Sequence, residues 1–135
     1  MLTNTVEVTR DTLLQEVANK RHQGFRFVTV TCTDLGDKFD IIYHFDKDYV
    51  LHNVRLALAK DAALPSASGI FFAAVVVENE LKDLFGINVT DLAIDYGGRF
   101  MLSEGAPVAP QRKPVPAPAA VPGAGAPPAQ KGQGK

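Results

Sequence analysis

Apolar residues near the N-terminus recur every three to four positions. Between residues 10 and 22 they fall on one face of a helix, and the positions between them are mostly polar or charged. Asp11 or Thr12 can cap the first turn, and Gly24 stands where a glycine commonly ends a helix. The pattern predicts a first helix over residues 10 to 22, with an apolar face formed by Leu13, Leu14, Val17 and Ala18.

The next part of the chain has the character of β-strands. Residues 25 to 32 are rich in β-branched and aromatic side chains, and turn residues follow them. In residues 39 to 45 and 50 to 58 apolar and polar positions alternate, which is typical of strands with one buried face. The pattern therefore predicts three successive strands.

The second and third of these strands predict a hairpin of definite register. Apolar residues take the odd positions of the earlier strand and the even positions of the later one, so odd positions must face even ones. A two-residue turn at Lys47 and Asp48 meets this condition by pairing Phe45 with Val50. One face of the predicted hairpin is then apolar.

Residues 70 to 86 begin as an apolar run and continue as a helical repeat. The first eight are all apolar, which suits a buried strand as well as a helix. Leu81 and Leu84 extend the run at helical spacing, and Gly86 stands at the position of a C-terminal cap. We interpret the segment as a second helix, followed by an extended surface segment over residues 87 to 102.

These elements together predict an α+β fold. It consists of an N-terminal helix, three to four mostly antiparallel strands, a second helix and an extended C-terminal segment. The residues expected in its core are Leu14, Val17, Val28, Val30, Ile41, Tyr43, Val54, Leu56, Ala74, Val77, Leu81 and Leu84.

The last thirty residues differ from the rest in composition. They hold eight of the nine prolines, eight alanines and four glycines, and no acidic or aromatic residue. So many prolines prevent a helix or a central strand, and few large apolar side chains remain to join a core. The composition predicts a folded domain over residues 1 to 105 and a disordered, extended, Pro/Ala-rich basic tail over residues 106 to 135.

The net charge divides in the same way. The whole chain carries a formal charge of −1, but the four charged residues of the tail are all basic, so the domain alone carries −5. An acidic domain lacks the positive charge with which proteins bind phosphates, so we do not expect a nucleic-acid partner. The four basic residues are Arg112, Lys113, Lys131 and Lys135.

The sequence has no pattern typical of membrane insertion or secretion. Its longest apolar run has eight residues, well below the ~20 of a membrane helix. The first residues contain neither a basic start nor a hydrophobic stretch, so we expect no signal peptide. The single cysteine, Cys32, cannot form an internal disulfide, which fits a reducing cytoplasm.

The metal-binding and nucleophilic residue types do not combine into a catalytic set. In the predicted hairpin His44 and His52 lie on opposite faces and cannot share a metal, and His22 ends a distant helix. We expect His52 to face the core, with Tyr43 as a hydrogen-bond partner. Cys32 has no flanking positive charge to activate it and is expected to be a small buried residue. The sequence therefore predicts no catalytic, cofactor-binding or metal-binding residue.

Three carboxylates cluster in the second predicted helix, at Glu78, Glu80 and Asp83. On a helix Glu80 and Asp83 share a face, whereas Glu78 lies roughly 200° away from Glu80, so the three do not converge on one metal. Two interpretations stay open: a solvated helix end, or charges that meet a basic partner protein.

The carboxylates belong to a ten-residue string, Glu-Asn-Glu-Leu-Lys-Asp-Leu-Phe-Gly-Ile, over residues 78 to 87. This string resembles the signature of the hydrophilic C subunit of proton-pumping NADH:quinone oxidoreductase, respiratory complex I. That family shows Glu-Xaa-Glu, two further residues, an acidic residue, two hydrophobic residues and usually Gly-Ile, and all these positions match in residue type. The order of elements is also similar, over about residues 9 to 102.

After the motif the sequence departs from the complex I pattern. Complex I members usually continue with a His or Lys and a basic, leucine-rich stretch that ends in a tryptophan-containing segment, whereas this chain contains no tryptophan. Its Ile-Asp-Tyr-Gly-Gly segment, residues 94 to 98, resembles instead the ending of the equivalent small subunit in energy-converting [NiFe] hydrogenases of the Ech type. We prefer that subgroup.

The resemblance implies a non-catalytic subunit in the peripheral arm of a membrane-bound, ion-translocating redox complex. Such a subunit binds no cofactor and braces a large catalytic subunit and a small iron–sulfur subunit, while contact with membrane subunits is indirect. Iron–sulfur clusters and a nickel–iron site are then expected in the partners. An Ech-type complex couples ferredoxin oxidation to proton reduction, and the chain would lie on the cytoplasmic side of the cell membrane.

The resemblance also implies a subunit interface around the motif. The apolar first half of the helix must be buried on more than one side, which a partner surface would complete. The acidic second half is expected to pair with basic groups of that partner. The implied interface residues are Glu78, Glu80, Asp83, Leu84, Phe85, Gly86, Ile87, Tyr96, Gly97 and Gly98.

Three alternatives stay open. Within the same class, the chain is the C subunit of an NADH:quinone oxidoreductase. A free-standing α+β binding module would stay monomeric without partners, whereas a subunit leaves an apolar patch exposed when alone. An independent small enzyme would require a pocket with convergent polar groups.

Overall fold

The computed structural model describes residues 2 to 117. Within them the chain forms two α-helices, a four-stranded sheet and a two-stranded sheet, so the predicted α+β fold is confirmed. In chain order the elements are β1 (Thr5–Val8), α1 (Leu13–His22), β2 (Arg26–Asp34), β3 (Lys38–Lys47), β4 (Val50–Ala59), β5 (Leu64–Pro65), α2 (Ala74–Phe85) and β6 (Val89–Thr90).

The larger sheet has the strand order β1-β4-β3-β2. Strands β2, β3 and β4 are antiparallel neighbours, as predicted, whereas β1 pairs with β4 in parallel. The sequence pattern does not predict β1, because four residues are too few to show an alternation. Strands β5 and β6 pair in parallel and tie the loop after β4 to the segment after α2.

The turn between β3 and β4 lies one residue later than predicted. It consists of Asp48 and Tyr49, whose φ angles of 53° and 64° are both positive, as a type I′ turn requires. Phe45 therefore pairs with His52 rather than with Val50. This shift of two positions keeps odd residues opposite even ones, so the predicted apolar face is preserved.

Strand β2 contains a β-bulge that the alternation does not reveal. The register shifts between Phe27 and Thr29, so Val28 is an extra residue without a partner in β3. The bulge lets odd-numbered Phe27 and even-numbered Val30 both face the core. Val28 is turned outward and is 45% exposed, so its predicted place in the core is wrong.

The core lies between the inner face of the sheet and the two helices. Three predicted core residues, Leu14, Val77 and Leu84, are only half-buried. Buried residues that the prediction omits include Phe39, Phe45, Leu58, Leu64 and Ile87. The predicted core residues that are buried are Val17, Val30, Ile41, Tyr43, Val54, Leu56, Ala74 and Leu81.

Helix α2 begins four residues later than predicted, at Ala74. Residues 68 to 73 form mainly turns, and Phe71 among them is buried in the core. The helix ends as predicted at Gly86, which has a φ of 65° and donates its N–H to the Lys82 carbonyl at 3.0 Å. Turns at its start replace helix because they place the Phe71 side chain inside.

Residues 109 to 116, which we call the strap, lie along the domain. The Gln111 N–H donates to a carbonyl in the last turn of α2 at 2.8 Å. The Arg112 guanidinium donates to the carbonyl oxygens of Gly86, at 3.2 Å, and Lys60, at 3.1 Å. These bonds hold the strap across the C-terminal ends of α2 and β4.

Asp34, at the end of β2, anchors the strap. Its buried carboxylate accepts hydrogen bonds from the Lys60 ammonium, from the Gly36 N–H at 2.8 Å and from the Lys113 N–H at 2.6 Å. Burial by itself would raise the pKa of Asp34, but these donors together lower it to about 2. The ionised carboxylate therefore joins three separate segments of the chain.

Contacts with the domain thus continue past the predicted boundary at residue 105. The strap resembles the tail in its proline content and forms neither helix nor strand, so composition alone does not distinguish the two. Residues 118 to 135 of the predicted tail lie outside the described residues, and a disordered basic tail there stays a prediction.

We expect a chain that ends at residue 105 to be less stable than one that ends at residue 117. The loss should be roughly 2 to 4 kcal/mol in urea unfolding at pH 7, because about four hydrogen bonds disappear at about 1 kcal/mol each. The difference should shrink as the pH falls from 5 towards 2. The stability from ionised Asp34 is present above its unfolded pKa of about 3.9 and is lost as the pH falls through the folded value. Equal stability at pH 7 would contradict this role of the strap.

Candidate subunit interface

Several polar residues of α2 are turned into the domain, and Glu78 lies deepest, with a fully buried side chain. Its Oε1 accepts hydrogen bonds from the Tyr43 hydroxyl in β3, at 2.9 Å, and from the Ala67 N–H, at 2.8 Å. Its Oε2 accepts a hydrogen bond from the Ser66 hydroxyl. One carboxylate therefore joins α2 to the sheet and to the loop that precedes the helix.

A chain of hydroxyl groups continues from this carboxylate. Because the Ser66 hydroxyl donates to Glu78, the Ser68 hydroxyl, 2.6 Å away, donates to Ser66. The Ser68 oxygen in turn accepts the Ala93 N–H at 2.9 Å. Glu78 is thereby connected to the segment after β6.

Burial sets the protonation of this network. Burial raises the pKa of the Glu78 carboxyl, and hydrogen bonds from Ser66, Ala67 and Tyr43 oppose the rise. Burial also raises the pKa of Tyr43 well above its usual value, and the adjacent Glu78 charge adds to the effect. The tyrosine hydroxyl therefore stays protonated and remains a donor.

Asn79 and Lys82 hold the next segment of chain against α2. Asn79 donates from Nδ2 to the Ile94 carbonyl at 2.8 Å and accepts the Tyr96 N–H at 3.1 Å. The Lys82 ammonium lies 2.9 and 2.7 Å from the two carboxylate oxygens of Asp95 and lowers the pKa of that group. Three consecutive residues are thus fixed beside the helix.

Asp83 fixes the same segment one turn further along α2. Its Oδ2 accepts the Met101 N–H at 2.6 Å, and the side chain is buried. On the way to Met101, Gly97 and Gly98 take φ angles of 64° and 81°, which let the chain turn at little steric cost. Residues 94 to 101 are therefore pinned to α2 at both ends.

The pinned segment and the helix beside it present apolar side chains at the surface. Asn79 holds the Ile94 carbonyl beside the turn of α2 that carries Val76, and the Tyr96 and Phe100 rings lie 5.0 Å apart. Six side chains here are each between 36 and 63% exposed, and exposed apolar surface marks sites of protein contact. We call this set the apolar rim: Phe72, Val76, Ile94, Tyr96, Phe100 and Met101.

The structure separates the predicted interface residues into buried and accessible ones. Pairing of Glu78 with a basic group of a partner is wrong as an expectation, because the Glu78 carboxylate is fully buried and satisfied within the domain. Asp83 and Ile87 are also buried. The interface role of the others stays a prediction: Glu80, Leu84, Phe85 and Gly98 are half-exposed, and Gly86, Tyr96 and Gly97 are exposed.

Spacing in the sequence does contain a signal for the position of Glu78. It follows Ala74 by four residues and precedes Leu81 by three, and both of these are predicted core residues, so helical geometry turns Glu78 inward. The organising roles of Asn79 and Ser66 carry no comparable signal, because their partners are backbone groups distant in sequence.

The two histidines of the hairpin lie on opposite faces of the sheet, as predicted. On the outer face the His44 Nδ1 lies 2.7 Å from the Asn53 side-chain oxygen. On the inner face His52 packs edge-on against Phe25, with ring centroids 4.7 Å apart. The expected partner of His52, Tyr43, donates to Glu78 instead, so that part of the prediction is wrong.

Cys32 is half-buried in β2. Burial raises the pKa of its thiol to about 12, and the negative charge of Asp34 contributes to the rise. The thiol is therefore protonated and a poor nucleophile at neutral pH. Residues 2 to 117 contain no group of three or more His, Cys, Asp or Glu side chains placed to hold a metal ion.

Comparison with known proteins identifies the family. Residues 6–121 match the family of the respiratory-chain NADH dehydrogenase, 30 Kd subunit, and this range includes α2, the apolar rim and the strap. The chain belongs to this family. The family resemblance of residues 78 to 87 is thereby confirmed.

One curated member of the family is the C subunit of NADH-quinone oxidoreductase from Jannaschia sp. (strain CCS1). It is 40% identical over 83 residues, a match that covers 53% of this chain and 40% of the relative. The chain therefore spans less than half the length of that relative.

A solved structure shares the fold of this family member. It belongs to the membrane-bound sulfane sulfur reductase, an archaeal respiratory membrane complex, with a TM-score of 0.66 and 16% identity. The match covers 75% of this chain and 64% of that chain. Between residues 2 and 117, neither α1 nor α2 has the length and apolar character needed to cross a bilayer.

Replacing Glu78 tests its structural role. Glu78→Ala should lower the free energy of unfolding by about 3 kcal/mol, because three buried donors lose their acceptor. Glu80→Ala is the matched control on the half-exposed side of the same helix and should change stability by less than about 0.5 kcal/mol. Urea titrations of the purified chains measure both values. Similar effects of the two substitutions would argue against Glu78 as the organiser of the domain.

Proposed function

We propose that this chain is a non-catalytic subunit in the peripheral arm of a membrane-bound, ion-translocating redox complex related to respiratory complex I. Its role is to brace the large catalytic subunit and the small iron–sulfur subunit on the cytoplasmic side of the membrane. In this proposal the chain binds no cofactor, and the iron–sulfur clusters belong to its partners. Membership of the 30 Kd subunit family supports the proposal.

The apolar rim is the observation that carries this proposal. Helix α2 uses Asn79, Lys82 and Asp83 within the chain to hold apolar side chains at the surface. Keeping such side chains in water costs free energy, and contact with another protein recovers it. The rim is therefore the surface on which a partner subunit packs.

Within this class we favour an Ech-type energy-converting [NiFe] hydrogenase, which couples ferredoxin oxidation to proton reduction. Residues 94 to 98 resemble the ending of the small subunit in that subgroup, and they supply part of the apolar rim. A segment that distinguishes subgroups is expected at the surface that meets a subgroup-specific partner. The nickel–iron site then belongs to the large partner subunit.

The second candidate is the C subunit of an NADH:quinone oxidoreductase. The 40% identity over 83 residues to a protein of that name favours it. Both candidates place the chain in the same kind of position, next to a large catalytic and a small iron–sulfur subunit. They differ in the chemistry of those partners.

A free-standing α+β binding module is the candidate from another class. Such a module gains nothing from an exposed apolar rim when it is alone. A small independent enzyme would need polar groups that converge on a substrate. Many of the buried polar groups within residues 2 to 117 are instead bound to the chain's own backbone, as Asn79 and Asp83 are.

Substitutions in the rim test its contact with a partner. Val76→Glu and Tyr96→Glu, made separately, should each lower recovery of partner subunits at least about tenfold, because a charge buried at an interface costs more than ~1.4 kcal/mol. The tagged chain is captured from membranes in mild detergent, and partners are quantified per bait by mass spectrometry. Leu51→Glu, at an exposed apolar residue of the hairpin, is the control and should recover partners normally. Normal recovery with both rim variants would contradict the rim as an interface.

The composition of the captured complex distinguishes the candidates. An Ech-type hydrogenase predicts nickel and iron in the complex and hydrogen evolution from reduced ferredoxin. An NADH:quinone oxidoreductase predicts iron without nickel and NADH oxidation coupled to a quinone analogue. Recovery of the wild-type chain as a monomer without metal-bearing partners would contradict both and would favour the free-standing module.

A further inference from the structure

Asp83 has one carboxylate oxygen that the domain leaves unused. Its Oδ2 accepts the Met101 N–H at 2.6 Å. Its Oδ1 is buried and has no hydrogen-bond partner among residues 2 to 117, although only 2% of the residue is exposed. A buried carboxylate oxygen is costly unless a donor reaches it. The position therefore calls for a donor from elsewhere.

Asp83 lines a cleft of about 290 Å³ at the surface beside α2. Gly97, Gly98 and Gly105 form part of its wall, and a Cβ added at any of them would meet no atom within 4 Å. Pockets for small molecules and cofactors start at about 300 Å³ and run to several times that volume. The cleft therefore suits one inserted side chain better than a cofactor.

The charges in the cleft favour a positive occupant. Lys82 is paired with Asp95, and Arg99 is paired with Glu104 at 2.6 Å, so these wall residues largely neutralise one another. Within the described residues no cation is paired with Asp83. A positively charged donor would satisfy Oδ1 and balance the charge.

A divalent metal ion fits this cleft poorly. Calcium and magnesium take about six oxygen ligands, and no cluster of three or more acidic, histidine or cysteine side chains occurs in residues 2 to 117. A guanidinium or ammonium group needs only hydrogen-bond acceptors. Among these, arginine is the residue that most readily enters a buried ion pair, because its guanidinium is planar and weakly hydrated.

We propose that this cleft is a socket for one basic side chain, an arginine, of the partner subunit that covers the apolar rim. The inference rests on the proposed function and deepens it by naming the chemistry of one contact. Met101 belongs to the rim and donates its N–H to Asp83, so the socket opens beside the rim. A partner seated on the rim would exclude water from the socket, which strengthens an ion pair inside it.

Asp83→Asn removes the charge and keeps a carbonyl oxygen for the Met101 N–H. We expect recovery of partner subunits to fall at least about tenfold, the lower end of losses for a buried interfacial pair. The urea midpoint of the free full-length chain should not fall. Glu104→Gln removes a wall carboxylate whose side chain is 81% exposed, and it should recover partners as the wild type does.

The opposing outcomes overturn the socket in different ways. Normal recovery with Asp83→Asn overturns it directly, and a fall in both recovery and stability assigns Asp83 a purely structural role. A wild-type chain ending at residue 117 should recover partners normally. A tenfold loss with that chain would give the cation to Lys131 or Lys135 of the chain's own tail. Capture of wild-type chain without redox partners sinks the proposed function and the socket together.

A second variant blocks the cleft without touching the carboxylate. Ser103 is an exposed wall residue, so Ser103→Trp can fill the cleft while the fold is kept. We expect a tenfold or greater loss of partner recovery with an unchanged urea midpoint, and normal recovery for Ser103→Ala. Normal recovery with Ser103→Trp would overturn the socket even if Asp83→Asn proved unstable.

Discussion

The burial of one carboxylate, that of Glu78, determines how the rest of the domain is assembled. A carboxylate leaves water at a cost of several kcal/mol unless donors replace its hydration. Here the donors come from the sheet, through Tyr43, and from the loop before α2, through Ser66 and the Ala67 N–H. Each donor must hold its place for the charge to be tolerated. The carboxylate therefore fixes the helix against the sheet and, through Ser68, fixes the segment after the helix.

Helix α2 distributes polar and apolar side chains in an unusual way. Glu78, Asn79 and Asp83 are buried, while Phe72 and Val76, just before and within the helix, are exposed. The buried polar groups serve as hydrogen-bond partners for backbone that has no other secondary structure to join. This arrangement holds residues 94 to 101 in a fixed shape without making them part of the sheet. A subunit gains from it, because a contact surface fixed in advance loses less entropy on assembly.

Much of the fold could be predicted from the sequence, since it depends on periodicity. The apolar face of the hairpin survives a register error of two residues, because strands repeat every two residues. The bulge at Val28 and the turn at Tyr49 could not be predicted, because each depends on local backbone geometry that side-chain type does not reveal. The strap has the composition of a flexible tail. Its order comes from Asp34, seventy-nine residues from Lys113, and no local pattern encodes that contact.

The motif was recognisable from ten residues, but its physics was harder to infer than its family. Helical spacing places Glu78 on the core face between Ala74 and Leu81, whereas Glu80 follows exposed Val76 by four residues and stays at the surface. Asp83 lies between these directions. One of its oxygens holds the domain together, and the other is left for a donor outside residues 2 to 117. A carboxylate shared in this way couples assembly to the fold, because the bond that positions the apolar rim and the proposed bond to a partner meet on the same group.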